Sequence, residues 1–219
     1  MSGLWRTYSV EVFVKGGIIL TAQLLKLNLG CGFKRIPGFI NVDSVPACNP
    51  DQVVNLEAFP WPWADNSVAE VQLIHVLEHL GRESEVFIGI MQELYRVCTD
   101  DAKIHIIVPH HRHDNFQSDP THVRPITPLG LSLFDRAQCE SWIAAGFANT
   151  PLAVYYKVDF ETLSIQYDYE EQWLRKVASG QITTMQLTEA AQHQCNVITQ
   201  IRYQLRVRKS SMVQLPATV

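Results

Sequence analysis

His75, Glu78 and His79 stand at the spacing i, i+3, i+4, which on a helix puts three side chains on one face. Two imidazoles and a carboxylate so placed can hold a divalent metal. The helical argument is partial, because His75 closes the apolar run from Val68 and reads as a strand end. The competing reading is that Glu78 and His79 cap and brace a turn. Four of the eight histidines, His110, His111, His113 and His122, lie in a second stretch, the polar run from His110 to Arg124. A solvated loop could show this by chance, but long loops leaving a sheet often carry function. His110, His113, Asp119 and His122 are therefore candidates for a general base or for gripping a substrate, and Arg124 for an anionic substrate group. A third stretch links Gly30-Cys31-Gly32 to Asp43. Glycines let a backbone approach a ligand closely, and an acid ending the next strand can accept from ribose hydroxyls. The order suits an adenosine-containing ligand. Cys31 reads as a small turn residue, since no partner base is evident.

The elements that must position these residues follow from hydrophobic period and punctuation. Residues 24–28 form a first strand, the run ending at Asp43 a second, and Asp51 to Leu56 a third. Val68 to His75 forms a fourth and Ala102 to Pro109 a fifth. From Arg82 the period becomes helical, with Val86, Phe87, Ile90, Met91, Leu94 and Val97 on one face. Strands separated by helices imply right-handed crossovers and a parallel sheet. Ligands of such sheets sit at strand carboxyl ends, where Gly30, Asp43, Asn55, His75 and His110 all fall. Phe59, Trp61 and Trp63 either cover the sheet edge or line the adenine side of the pocket. Thr127-Pro128 starts a helix, and Gly146 stops one. Phe147 to Phe160 reads as a strand, and Asp168–Ala178 and Thr184–Gln194 as helices, the second with a Thr183/Gln186 capping box. Ile201, Tyr203, Leu205 and Val207 alternate with polar residues as in a half-wet strand. Arg202, Arg206 and Arg208 read as its solvated face.

Composition excludes several classes. The chain has 219 residues, is 47% hydrophobic and carries a net charge of −4. That suits one α/β domain and gives no global field for nucleic acid or an acidic membrane. Five scattered cysteines without a CxxC pair argue for a reducing, cytoplasmic setting. No apolar run is long enough to span a membrane. Only eleven positions separate Gly32 from Asp43, against about 20 in a dinucleotide fold, which argues against a dinucleotide oxidoreductase. Residues 1–23 read as an N-terminal extension, 24–209 as the main domain with a helical insertion over 161–195, and 210–219 as a loose tail.

The blocks Leu27-Asn28-Leu29-Gly30-Cys31-Gly32, Asn41-Val42-Asp43, Pro60 to Val68 and His75-Val76-Leu77-Glu78-His79-Leu80 recur in an order and spacing that resemble class I S-adenosylmethionine-dependent methyltransferases. Within them the chain looks like the small bacterial and phage group with a Val-Pro-His turn and an Asp-Pro-Thr-His-Val-Arg loop. The resemblance covers residues 24–135 and is weak from 147 onward. It implies an α/β, three-layer Rossmann-like sheet of seven strands, mostly parallel with an antiparallel last strand. It implies S-adenosyl-L-methionine as cofactor, with Gly30 and Gly32 against its methionine part, Asp43 on the ribose, Leu56 beside adenine and His75 near the sulfur. Asn28 and Cys31 belong to the same cofactor-side block. Asn55 replaces the acid usual before that leucine, and its amide carbonyl can still accept. A block similar to residues 75–79, with glutamate first, binds metal in small-RNA 2′-O-methyltransferases and ubiquinone-pathway O-methyltransferases. The resemblance thus implies His75, Glu78, His79 and His122 as a possible metal set. The activity it implies is methyl transfer to a hydroxyl or nitrogen of a small molecule, with the insertion as substrate wall or homodimer surface. The alternatives are a metal-assisted RNA 2′-O-methyltransferase, which the acidic charge disfavours, and a non-catalytic cofactor-binding module. Base methylation of DNA gains no support, for no Asn-Pro-Pro-Tyr motif follows the fourth strand.

Overall fold

The computed structural model describes residues 9–13 and 19–209. Two short strands, β1 (Ser9–Phe13) and β2 (Ile19–Gln23), pair antiparallel within the segment read as an extension. The rest of that segment, and the tail expected beyond residue 209, lie outside the described residues.

Seven further strands make one sheet: β3 (Leu25–Leu29), β4 (Ile40–Asp43), β5 (Gln52–Val53), β6 (Val68–Ile74), β7 (Cys98–Pro109), β8 (Phe160–Tyr169) and β9 (Ile198–Val207). Their order is β5-β4-β3-β6-β7-β9-β8, with β9 antiparallel to both neighbours and β3 to β7 mutually parallel. The chain reverses direction across the sheet at β3, between β4 and β6. Loops leaving the carboxyl ends of these strands therefore converge there, as open α/β sheets require.

The central strands are buried runs, with Leu27, Leu29, Val71, Leu73, Ile104 and Ile106 at most 1% exposed. Helix α1 (Ser84–Val97) buries Phe87, Ile90, Met91, Leu94 and Val97, the apolar stripe its sequence predicts. Its basic end also organises the loop before β6. Arg96 donates to the carbonyls of Trp61 and Trp63, to Asp65 and to Glu93, at 2.7–3.1 Å. Glu93 in turn accepts from the Trp61 N–H, and the Arg96 hydrogen bond holds its carboxyl below the usual range. Trp61 and Trp63 meet edge to face in the core, 3% and 5% exposed. Trp63 Nε1 donates to Gln52 Oε1 on the edge strand β5, and neither indole is among the residues lining the cavity beside Asp43.

The second half departs further from expectation. The strand expected over 147–160 begins only at Phe160. The single turn α2 (Asp114–Gln117) and the short helices α3 (Pro128–Ser132), α4 (Arg136–Ala144) and α5 (Leu152–Tyr156) precede it. The apolar run Leu152–Tyr156 closes as a helical turn at Lys157, whose backbone is left-handed. The insertion expected over 161–195 is correspondingly shorter, because residues 160–169 are β8. Only α6 (Glu171–Ala178) and α7 (Thr184–His193) stand between the last two strands, with the Thr183/Gln186 capping box formed. They own a small apolar cluster of Leu187, Ala190, Ala191, Val197 and Ile198, with Trp173 and Tyr169 packed on it. The arginines of β9 are not a free solvated face: Arg202 pairs with Asp168, Arg206 with Glu161, and Arg208 with Asp135 and Asp159.

Candidate functional site

The turn after β3 is built for close approach. Gly30 has φ +64°, and a Cβ there would meet Val76 Cγ2 at 2.5 Å. Both the left-handed backbone and the contact exclude other residues. Gly32, with φ +50°, donates its N–H to Asp43 Oδ2 at 2.8 Å, and Val45 N–H donates to Asp43 Oδ1 at 2.9 Å. The carboxylate is thereby locked at the rim, with lone pairs left over for hydroxyl donors.

Gly30, Asp43, Ser44, Val54, Asn55, Leu56, His75, Val76, His79 and Leu80 line one cavity of about 260 Å³. Leu56, Leu80, Val54 and Val76 give it apolar walls, while Asp43, Asn55 and the two histidines give it polar corners. His75 reaches the rim from a left-handed backbone, φ +55°. Asn55 Oδ1 accepts from the Glu57 N–H at 2.9 Å, a local turn that takes up one of its lone pairs. Sequence reasoning missed Ser44, Val54, Val76 and Leu80. The turn residue Ser44 and the common apolar residues carry no chemical signal of their own.

Other nominated residues stand behind the cavity. Asn28 is 3% exposed, and its amide donates to Asn41 Oδ1 and the Lys34 carbonyl. It braces the glycine loop and is not among the residues lining the cavity. Cys31 is buried, donates its N–H to the Val42 carbonyl, and has its thiol pushed up by burial. It is an inert turn residue.

The histidine loop divides into two halves with different work. His113 is buried; its Nδ1 accepts from the Asn115 N–H, and its Nε2 meets Glu170 at 3.0 Å. Arg112 donates to the Ala191 and Gln192 carbonyls at the end of α7. These contacts clamp the loop to the α6–α7 unit. His110 is 6% exposed, accepts at Nδ1 from the Arg112 N–H, and is pushed down to about 4, chiefly by burial. Neither His110 nor His113, both nominated as catalytic, is among the residues that line the cavity at the glycine turn.

The second half turns back to the 77–79 turn. Val123 and Arg124 N–H groups donate to the Glu78 carbonyl. His122 lies against His79, 4.5 Å between ring centres. One ligand atom each from Glu78, His79 and His122 fall within 4.8 Å of one another. Glu78 is 1% exposed, and neither carboxylate oxygen has a hydrogen-bond partner. His75, expected in this set, is outside it. Its Nδ1 is 3.5 Å from Glu78 Oε1 without hydrogen-bond geometry, and it belongs to the cavity rim. Arg124 donates to the Gly81 carbonyl and lies over the Phe87 ring, beside a separate apolar cavity of about 230 Å³.

No protein-family model matches the chain, and no curated protein is similar to it. Solved structures do align. A SAM-dependent methyltransferase from Archaeoglobus fulgidus has 18% identity and a TM-score of 0.57, over 84% of this chain and 86% of that one. The fold is the Rossmann-like methyltransferase fold. A SAM-dependent methyltransferase from Methanosarcina mazei has 12% identity and a TM-score of 0.49, over 84% of this chain and 92% of that one. In the methyltransferase fold of this chain, the residues at the glycine turn suit an adenosine-bearing group. The left-handed turn at Gly30 packs on Val76 at the cavity, a held carboxylate ends β4, and apolar walls lie opposite.

Proposed function

We propose that this chain is an S-adenosylmethionine-dependent methyltransferase acting on a hydroxyl or nitrogen of a small molecule. The observation that carries the reading is the single cavity in which Gly30, Asp43, Leu56 and His75 meet at the carboxyl ends of β3, β4 and β6. S-adenosylmethionine bound there would supply an electrophilic methyl group. The chain's part is alignment. Gly30 shapes the turn that borders the cofactor, Asp43 takes the ribose hydroxyls, Leu56 and Leu80 flank the base, and His75 bounds the acceptor side. Glu78, His79 and His122 are the residues that would hold a divalent cation beside this cavity, where it could polarise an acceptor oxygen. His79 is common to both. The acidic net charge favours a small acceptor over a nucleic acid. The free cysteines Cys31, Cys48, Cys98, Cys139 and Cys195 suit a reducing cytoplasm. Among the described residues no helix is long and apolar enough to cross a membrane.

Calorimetric titration with S-adenosylmethionine and S-adenosylhomocysteine tests the reading. Binding at one site is expected. Asp43→Ala should weaken it roughly 10- to 100-fold, the loss of charge-assisted hydrogen bonds to the ribose. Absence of binding by the wild-type chain, or full affinity in folded Asp43→Ala, would refute it.

A further inference from the structure

The cavity of about 230 Å³ beside Arg124 shares no lining residue with the one at the glycine turn. Its walls are apolar. Phe87 and Phe134, 7% and 2% exposed, meet there edge to face with 6.0 Å between ring centres, and Ile88, Ile126 and Leu131 add aliphatic wall. A chamber of roughly 150 Å³ already holds benzene, so size and polarity alone admit one ring or a short chain. The polar groups narrow the choice. They are Ser84, Thr127 and Arg124, and no carboxylate lines the space. Glu83 and Glu85, on either side of Ser84, are exposed and outside the lining. Thr127 Oγ1 accepts from the Gly130 N–H at 3.1 Å, which leaves its own hydrogen to donate. Arg124 Nη2 donates to the Gly81 carbonyl at 2.8 Å, and the guanidinium carbon lies 4.5 Å from the centre of the Phe87 ring. Its Nε is buried without a hydrogen-bond partner. Among the described residues no carboxylate forms an ion pair with it. A buried N–H of a permanent cation, left unpaired, is costly to the folded chain.

We infer that this cavity is a second ligand site, for a small apolar monocarboxylate whose acid is held by Arg124 and whose ring or chain lies between Phe87, Ile88 and Leu131. An anion seated there supplies the acceptor that Nε lacks, through a charge-assisted hydrogen bond in a space shielded from water. The Gly81 carbonyl and the Phe87 ring already fix the guanidinium, so little freedom is lost on binding. A neutral compound of the same shape leaves the N–H unsatisfied, and a site built to pair one polar group rejects the analogue that lacks its match. One cation balances one negative charge. A phosphate dianion in the same apolar surroundings would keep an uncompensated charge, which disfavours it. The turn that fixes Arg124 through Gly81 also carries His79 and Leu80 into the nucleoside cavity. On the methyl-transfer reading the carboxylate is therefore the acceptor's anchor. That role rests on the methyl-transfer reading; binding of the carboxylate does not.

The test titrates the full chain, without cofactor, with benzoate, benzamide, acetate and phenyl phosphate at neutral pH. Calorimetry reads affinity, and methyl spectra of Ile88 and Leu131 read location. One equivalent of benzoate is expected to bind and to shift both methyl signals. It should bind roughly 10- to 100-fold more tightly than benzamide, and at least about 10-fold more tightly than acetate, which has the acid without the ring. Arg124→Met keeps the apolar stem over Phe87 and should make benzoate and benzamide bind alike. Ile88→Trp fills the cavity, leaves Arg124 in place and should abolish binding of both. Thermal unfolding checks that each variant is folded. Should Arg124→Met fail to fold, Arg124→Lys replaces it; it keeps the charge without Nε or the planar fork and should weaken benzoate about 10-fold with benzamide unchanged. The inference is overturned if the wild type binds no benzoate at millimolar concentration, or if benzamide or phenyl phosphate binds as tightly as benzoate. It is overturned equally if Ile88→Trp binds benzoate like the wild type. Loss of S-adenosylmethionine binding with benzoate binding intact would refute only the methyl-transfer reading, and the reverse result only this site.

Discussion

Gly30 shows how much one residue can decide. Its left-handed backbone alone would cost another residue about 1–2 kcal/mol, and the added methyl would overlap Val76, whose Cγ atoms lie 2.5 and 2.7 Å from the Cβ position. Overpacking of that kind adds roughly 1–3 kcal/mol. Gly30→Ala should therefore destabilise the chain by about 2–5 kcal/mol in urea unfolding and lose S-adenosylmethionine binding. Adding Val76→Ala should recover the steric part and leave the backbone part, which a double-mutant cycle would separate. The glycine was legible beforehand as a turn closing a buried strand, whereas its packing against Val76 was not. Nor was Asn28. It sits two positions away in the same block, and only its amide contacts with Asn41 and Lys34 reveal it as a brace.

Elements here are tied to loops by single side chains. Arg96, in the last turn of α1, gathers the Trp61 and Trp63 carbonyls, Asp65 and Glu93. Replacing it by methionine keeps the apolar stem and removes every one of those bonds. A loss of about 2–3 kcal/mol is expected, with a change in tryptophan near-ultraviolet dichroism as Trp61 and Trp63 loosen. Full stability and an unchanged spectrum would show that the loop holds itself. The same logic explains the split histidine loop. Its first half meets Glu170, which caps α6, through His113, the end of α7 through Arg112, and Asn196 beyond it through the Asp114 N–H. The second half meets the 77–79 turn through Val123 and Arg124. Sequence displayed four histidines of one type in one run, but could not tell a clamp from a ligand.

The whole molecule should be acid-labile, and the shifts agree in sign. Hydrogen bonds from Asn41 and Arg35 pull Asp51 down to about 2, and arginine partners hold Glu93 and Asp168 below the usual range. A carboxyl lowered on folding contributes stability above its unfolded pKa and loses it as pH falls toward the folded one. His110, lowered to about 4 by burial, acts likewise from its ordinary 6.5 downward. Thermal midpoints should therefore hold above pH 6.5, fall gently to about 4.5 and steeply below. In His110→Asn the gentle limb should shrink. A flat profile between pH 7 and 4 would contradict these assignments.

Sequence by itself determined the alternation of strands and helices, the glycine turn, the acid that ends β4 and the stripe of α1. Each is a local property: a period, a backbone angle or a cap acts within a few residues of where it is written. Tertiary structure decided what the histidines do. Thr121 reaches His79 across 42 positions, and His113 reaches Glu170 across 57. Those meetings depend on the order of strands in the sheet and on which loops it brings to one edge.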